Sequence, residues 1–213
     1  MFFRDRAEAG RRLASRLEAL DRQGLIALGL PRGGVVVAYE VASALGIPLD
    51  VVVVRKLGVP YQPELAMGAI GEDGIRVIDQ RVVRAAVVAD QQIKAVEDRE
   101  RVELARRAES YRQGRPRLDL TAATALIIDD GIATGSTARA AVEVARKLGA
   151  NRVVVAAPVA SLEAVRMLSS IADQVVYLTA PPGFLAIGEF YADFSPTTDT
   201  EVVDLLEQRA SPG

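Results

Sequence analysis

Short apolar runs alternate with helix-length segments along most of this 213-residue chain, and that rhythm restricts the fold more than any other feature. Residues 25–30 ("LIALGL"), 49–55 ("LDVVVVR"), 124–128, 152–157 and 174–178 read as strands, several apolar at every position. Strands of that kind are buried on both faces. Helical patterns fall between them, at "VVVAYEVASALG" and at 137–148 and 161–171. The expected class is α/β, a doubly wound parallel sheet flanked by helices. Such sheets bind ligands at the carboxyl ends of their strands, where the strand order reverses.

Three further segments complete the outline. Residues 5–23 carry Ala7, Gly10, Leu13, Leu17 and Leu20 on one helical face; Asp5 and Glu8 have capping-box spacing, and Gly24 makes a stop. "LAMGAIG" and "IRVID" predict two short strands around the Glu72-Asp73-Gly74 turn. Residues 80–113 predict one long inserted helix, N-capped by Asp79 and laced by Glu97/Arg101 and Glu103/Arg107 pairs. Its apolar residues Ile93, Val96, Leu104, Ala108 and Tyr111 could pack on the core or form a dimer seam.

Half of the chain is hydrophobic, enough to bury a core, and the whole reads as one domain over 1–213 with an appendage. The sequence contains no cysteine and no histidine. Disulfides, thiolate or imidazole catalysis and the usual zinc ligands are thereby excluded. No apolar run approaches the roughly 20 residues of a membrane span. The opening "MFFRDRAEAGRR" has no apolar stretch like that of a secretory signal, so a cytoplasmic location is expected. A net charge of −2 supplies no global basic field, so neither nucleic acid nor membrane is an expected partner.

The chemistry concentrates in "LIIDDGIATGSTA", residues 126–138. Two like charges stand where a buried strand surfaces, and a Gly/Thr/Ser loop follows. Gly131, Ile132, Ala133, Thr134, Gly135, Ser136 and Thr137 set backbone N–H groups and hydroxyls at a helix N-terminus, a ready anion site. Carboxylates beside such a cradle cannot bind the phosphate itself. They suit hydroxyls attached to it, as in ribose 5-phosphate, with Asp129 and Asp130 as acceptors. The bland alternative is a turn with an ordinary N-cap. No Gly-Lys-Ser/Thr closes the loop and no Gly-x-Gly-x-x-Gly is present, which sets aside the P-loop and dinucleotide readings. If hydroxyls are the partners, neutralising Asp130 should leave the free protein no less stable.

An apolar strand, Asp-Asp, two apolar positions, x, Thr-Gly, x, Thr resembles the phosphoribosyl pyrophosphate (PRPP) motif of type I phosphoribosyltransferases. Asp129, Asp130, Ile132, Thr134, Gly135 and Thr137 match; Gly131 departs from the usual Val, Leu or Ile. The resemblance covers a core of about 25–178, and implies a small hood built from the terminal segments, about 1–24 and 179–213. It makes Asp129 and Asp130 the catalytic candidates and 131–137 the 5-phosphate loop. "GLPRGG" (29–34) is similar to the family's pyrophosphate loop, giving roles to Arg32, Gly33 and Gly34 and implying a cis peptide at Pro31–Arg32. "RKLGVP" is similar to an Arg-Lys-x-Gly segment that would put Arg55 and Lys56 on pyrophosphate; a solvent-facing basic pair is the alternative. Residues 57–76 fall where the family keeps its mobile loop, with Tyr61 or Glu64 able to reach the site.

"APPGFLAIGEFYADFSPTTD" (180–199) falls where the family builds its base-binding hood. Phe184 or Tyr191 would then stack on the base and Asp193 would approach magnesium; the alternative is a satellite core formed with helix 5–23. The implied reaction displaces pyrophosphate from C1 of PRPP by a ring nitrogen of a nucleobase, a purine in the favoured reading, with Mg²⁺ bound mainly through PRPP. Many 6-oxopurine enzymes place an acid before the motif's Thr-Gly, where this chain has Ala133, as adenine enzymes do. A homodimer is also implied. Two other readings stay open: a non-catalytic PRPP- or nucleotide-binding regulator, and a generic nucleotide-binding α/β module.

Overall fold

The apolar runs do pair in parallel. In the computed structural model, which describes residues 2–210, the chain forms in order α1 (Arg6–Leu17), β1 (Leu25–Gly29), α2 (Gly33–Leu45), β2 (Leu49–Val51), β3 (Val54–Val59), β4 (Gln62–Gly71) and β5 (Arg76–Ile78). There follow α3 (Gln80–Ala85), α4 (Asp90–Arg112), β6 (Thr124–Ile128), α5 (Ser136–Lys147), β7 (Arg152–Val159), α6 (Leu162–Ser169), β8 (Gln174–Thr179) and, after a 3₁₀ turn (Ile187–Phe190), α7 (Asp199–Ala210). The main sheet runs β2-β1-β6-β7-β8, every neighbouring pair parallel. Its order reverses between β1 and β6, which places the ligand crevice beyond Gly29 and Ile128, paired in register.

The sheet is covered on both faces. Leu13 and Leu17 of α1 and Val37, Val41 and Leu45 of α2 pack with Leu126, Ile128 and Val154 on one side. Ala141, Val144 and Ala145 of α5 and Leu168 of α6 pack with Ile127, Val153 and Val155 on the other. Asp5 caps α1 by accepting from Glu8 N at 2.7 Å, and Asp79 caps α3. The hood forms where Phe3 N donates to Phe190 O and Ala192 N to Phe3 O, both at 2.8 Å.

Three expectations are revised. The run at 49–55 is not one strand: β2 ends at Val51, buried Val52 and Val53 turn the chain, and β3 joins a separate antiparallel sheet, β3-β4-β5. The two strands expected around the Glu72-Asp73-Gly74 turn do form, so much of the segment expected as a lid is sheet, and Tyr61 OH donates to Ala86 O. The long helix is two. Val88 turns inward beside Val83, while Val87 at φ +51 is left outside, 85% exposed, and α4 restarts at Asp90. Ile93, Val96, Leu104 and Tyr111 are buried within the chain itself, so they pack a core with β3, β4 and α7 and are not a dimer seam.

The two sheets are tied together by one buried guanidinium. Arg112 at the end of α4 donates to Asp50 Oδ1 at 2.7 Å, to Val51 O at 3.0 Å and to both carboxylate oxygens of Glu72. Asp50 also accepts from Leu118 N at 2.8 Å. Replacing Arg112 with Met strands two shielded carboxylates, a loss of about 3–5 kcal/mol by comparison with broken buried pairs. The expected result is a clearly lower urea midpoint, partly restored when Glu72→Gln is added.

Candidate active site

Two loops meet at the crevice. Leu30 N donates to Ile128 O at 2.9 Å, so the segment after β1 leans on the end of β6. The Pro31–Arg32 peptide is cis, as expected. The two glycines that follow are required by the acids. A Cβ on Gly34 would lie 2.7 Å from Ile128 O and 3.0 Å from Asp129 Oδ1. One on Gly33 would lie 2.6 Å from Arg6 Nε and overlap Asp130 Oδ2. Backbone of the 29–34 loop and the acid pair therefore sit in direct contact, a closeness that only glycine permits.

The second loop is pinned from below and open above. Ile132 N donates to Val159 O at 2.9 Å, Ser161 N to Ile132 O at 2.8 Å, and Ser161 Oγ to Ala133 O at 2.6 Å. Gly135, at φ +74, turns the chain into α5, whose first N–H groups have no helical carbonyl before them. Thr134 and Thr137 are exposed at its lip. Gly131 departs from the expected branched residue for a visible reason. A Cβ there would lie 3.0 Å from Ile187 Cγ1 and 3.1 Å from Val159 Cγ1, so Ile187 fills the space.

The acid pair is not left to repel. Asp129 Oδ1 accepts from Asp130 N at 2.9 Å. Asp130, 9% exposed, accepts from Arg6 Nε at 2.7 Å, and its carbonyl accepts from Tyr191 OH at 2.5 Å. The two carboxyls therefore differ. Burial, and then the neighbouring charge of Asp130, push the Asp129 carboxyl well above its ordinary range. Against the expectation that neutralising Asp130 leaves the free protein unharmed, the change would remove the charged partner of the Arg6 guanidinium. Tyr191 is buried, with its ring 5.4 Å from Phe3 and 5.0 Å from Phe194. Burial holds its phenol above the ordinary value. That arrangement is the satellite core, not an open stacking face.

A cavity of about 490 Å³ opens beside these loops. Pro31, Arg55, Lys56 and Thr137 line it, so it gathers one residue or more from each of three expected anion loops. Arg55 donates to Glu100 Oε2 at 2.8 and 2.5 Å, and Lys56 lies 3.1 Å from Glu64. Arg32 lies 3.9 Å from Asp199 and does not line the cavity. Arg99, Glu100 and Arg107 of α4 complete its wall, although a long helix carries no local sign of such a role. Phe184 lies at the edge of the satellite core, half-buried and stacked on Phe190 at 5.8 Å. Asp193 is exposed, its Oδ1 accepting from Ser195 N at 2.9 Å and Ser195 Oγ at 2.5 Å, bonds that hold its carboxyl low. Among the described residues, no three Asp or Glu side chains form a metal cage.

The phosphoribosyl transferase domain model matches residues 4–179. The chain belongs to the phosphoribosyl transferase family. Within that family it is similar to proteins of Mycobacterium tuberculosis strains CDC 1551 / Oshkosh and H37Rv, both named "Putative phosphoribosyl transferase". Identity to each is 53% over 206 residues, covering 97% of this chain and 46% of theirs, so the chain spans about half the length of these relatives. Its structure is similar to that of TT1426 from Thermus thermophilus, with 46% identity and a TM-score of 0.92, over 99% of this chain and 100% of that one. The AQ2163 protein of Aquifex aeolicus shares the fold at 10% identity, with a TM-score of 0.50 over 82% and 74% of the two chains. No described helix of this phosphoribosyl transferase domain is long and apolar enough to cross a membrane.

The raised Asp129 carboxyl has a signed consequence. A folded state that holds its proton more tightly than the unfolded chain loses stability as pH rises above the ordinary carboxylate range, near 4. Asp129→Asn removes that titration and keeps an oxygen for Asp130 N. The variant should melt above the wild type at neutral pH, and the difference should vanish as pH falls below about 4. A variant that melts lower at pH 7 would show that the Asp129 charge supports the fold.

Proposed function

We propose that this domain transfers the 5-phosphoribosyl group of PRPP to a nucleobase, a purine in the favoured case, with release of pyrophosphate. The observation that carries the reading is the acid pair and the 131–137 loop at the sheet's switch point, beside a cavity lined by Arg55 and Lys56. Loop 131–137 takes the 5-phosphate through N–H groups and the hydroxyls of Thr134, Ser136 and Thr137. Asp129 and Asp130 accept from the ribose hydroxyls and fix the sugar's orientation. The diphosphate lies against loop 29–34, with Arg55 and Lys56 as counter-charges once they leave Glu100 and Glu64.

In the transfer, the C1–O bond to pyrophosphate breaks and the electron pair leaves with the diphosphate. A ring nitrogen of the base then forms the new bond to C1 and gives up its proton. Ala133 cannot receive that proton, so its acceptor lies elsewhere, in solvent or on the departing diphosphate. The residues fit a magnesium ion that arrives on the substrate, since the described residues offer hard carboxylate oxygens but no closed cage, and Asp193 is its candidate protein contact. Such an ion would offset charge on the departing diphosphate. Phe184 is the candidate for stacking on the base, Tyr191 being committed to the satellite core.

The deciding experiment incubates the protein with PRPP, magnesium and a panel of purine and pyrimidine bases, with nucleotide read by mass spectrometry. Ala133 gives one specific reason to keep a second reading, a PRPP-binding regulator without transferase activity. PRPP binding with no nucleotide from any base would establish it. Phe184→Ala should raise KM for the base several-fold while PRPP affinity holds. An unchanged KM with a lowered Tm would remove Phe184 from the base site. Asp130→Asn should weaken PRPP binding by about ten- to a hundredfold, the value of a hydrogen bond to a charged group. Calorimetric titration reads that loss directly.

A further inference from the structure

Arg6 has no place in the motif, yet it forms an ion pair with one of the motif's two acids. Its Nε lies 2.7 Å from Asp130 Oδ2, with side-chain exposures of 11% and 13% for the two residues. A second guanidinium nitrogen donates to Ser195 O at 2.7 Å, and the guanidinium carbon stands 3.9 Å over the Phe194 ring. The other side of the pair is closed by Gly33, where a Cβ would lie 2.6 Å from Arg6 Nε. The same guanidinium thus touches the sugar acid, the hood and, through Gly33, the loop expected to hold pyrophosphate. A planar fork of donors can hold all three directions at once, which an ammonium cannot.

From this geometry we propose that Arg6 is a positioning residue for sugar recognition: it orients Asp130 toward the ribose hydroxyls and locks that orientation to the hood and to the 29–34 loop. The inference rests on the proposed function, since it takes Asp130 as the acceptor of a ribose hydroxyl. Arg6 itself need not touch the ligand. Nε is committed to the acid, a second nitrogen to Ser195 and one face to Phe194, so its contribution is to the acid's direction and charge. Neither Asp129 nor Tyr191 can substitute, because Asp129 contacts only the Asp130 backbone N–H and Tyr191 only the Asp130 carbonyl.

The test separates the sugar from the phosphate. Wild type is first titrated calorimetrically with PRPP and magnesium, then with ribose 5-phosphate and with inorganic phosphate, which reads the phosphate contacts without the sugar. Arg6→Met should weaken ribose 5-phosphate binding about tenfold or more, the scale of one hydrogen bond to a charged group, and leave inorganic phosphate within about twofold. Arg6→Lys keeps the charge but cannot bridge Asp130 and Ser195 together, so it should lose about threefold for ribose 5-phosphate only. Equal losses for both ligands, or none, would overturn the positioning role. If Arg6→Met melts below the assay temperature, Arg6→Lys decides: ribose 5-phosphate affinity equal to the wild type's overturns the proposal. A wild type that binds neither PRPP nor ribose 5-phosphate would instead sink the proposed function, and this inference with it.

Discussion

The ion pair between Arg6 and Asp130 is the interaction on which the site's architecture turns. A parallel strand buried on both faces has to surface somewhere, and β6 surfaces at two adjacent acids. Like charges so close, partly withdrawn from water, are costly unless at least one is compensated. Compensation comes from the first turn of α1, 124 residues away in sequence. That single requirement explains several otherwise separate facts. The start of α1 must lie over the carboxyl end of β6. Residue 33 must lack a side chain, and the tail must return to cover the guanidinium with Phe194. The hood is in this sense a lid on a buried charge as well as on a site.

The same logic recurs across the cavity. Arg55 is held by Glu100 and Lys56 by Glu64, so cations suited to a diphosphate already have carboxylate partners. An anionic ligand would have to exchange one ion pair for another, which gains less than meeting a bare cation but disfavours weaker anions. Glu64, on the β3–β4 hairpin, is far more exposed than Glu100 on α4. The Lys56 pair is therefore the easier of the two to open, and the Arg55 pair the better held.

Much of this was legible in the sequence, and the limits have physical causes. The parallel sheet, the 129–137 loop and the Gly33–Gly34 approach are local signals, carried by apolar runs and by residues whose backbone needs are distinctive. The break between α3 and α4 was not legible, because no Gly or Pro marks it; Val88 is drawn inward by a core assembled from distant elements. The strand expected at 49–55 divides for a similar reason, since buried valines suit either sheet. Arg6 and Glu100 were invisible as site residues. A charged side chain on an amphipathic helix looks the same whether it faces solvent or a partner many residues away. Tyr191 was seen as aromatic and close to the site, but its neighbours Phe3 and Phe194 decide that it packs.

The fold of a doubly wound sheet does not require α4, yet α4 does two jobs that pull in one direction. At its far end Arg112 joins Asp50 on β2 to Glu72 after β4, fastening the antiparallel sheet to the parallel one. Earlier along the helix, Glu100 grips Arg55 on β3, and Arg99 and Arg107 face the cavity. Val96 and Leu104 fill the core under β3 and β4. A helix fastened at one end, packed along its middle and charged at the cavity sets how far the hairpin stands from the 129–137 loop. The width of the cavity is thus set partly from behind its wall, and substitution of Leu104, which does not line it, should alter that width without touching a lining residue.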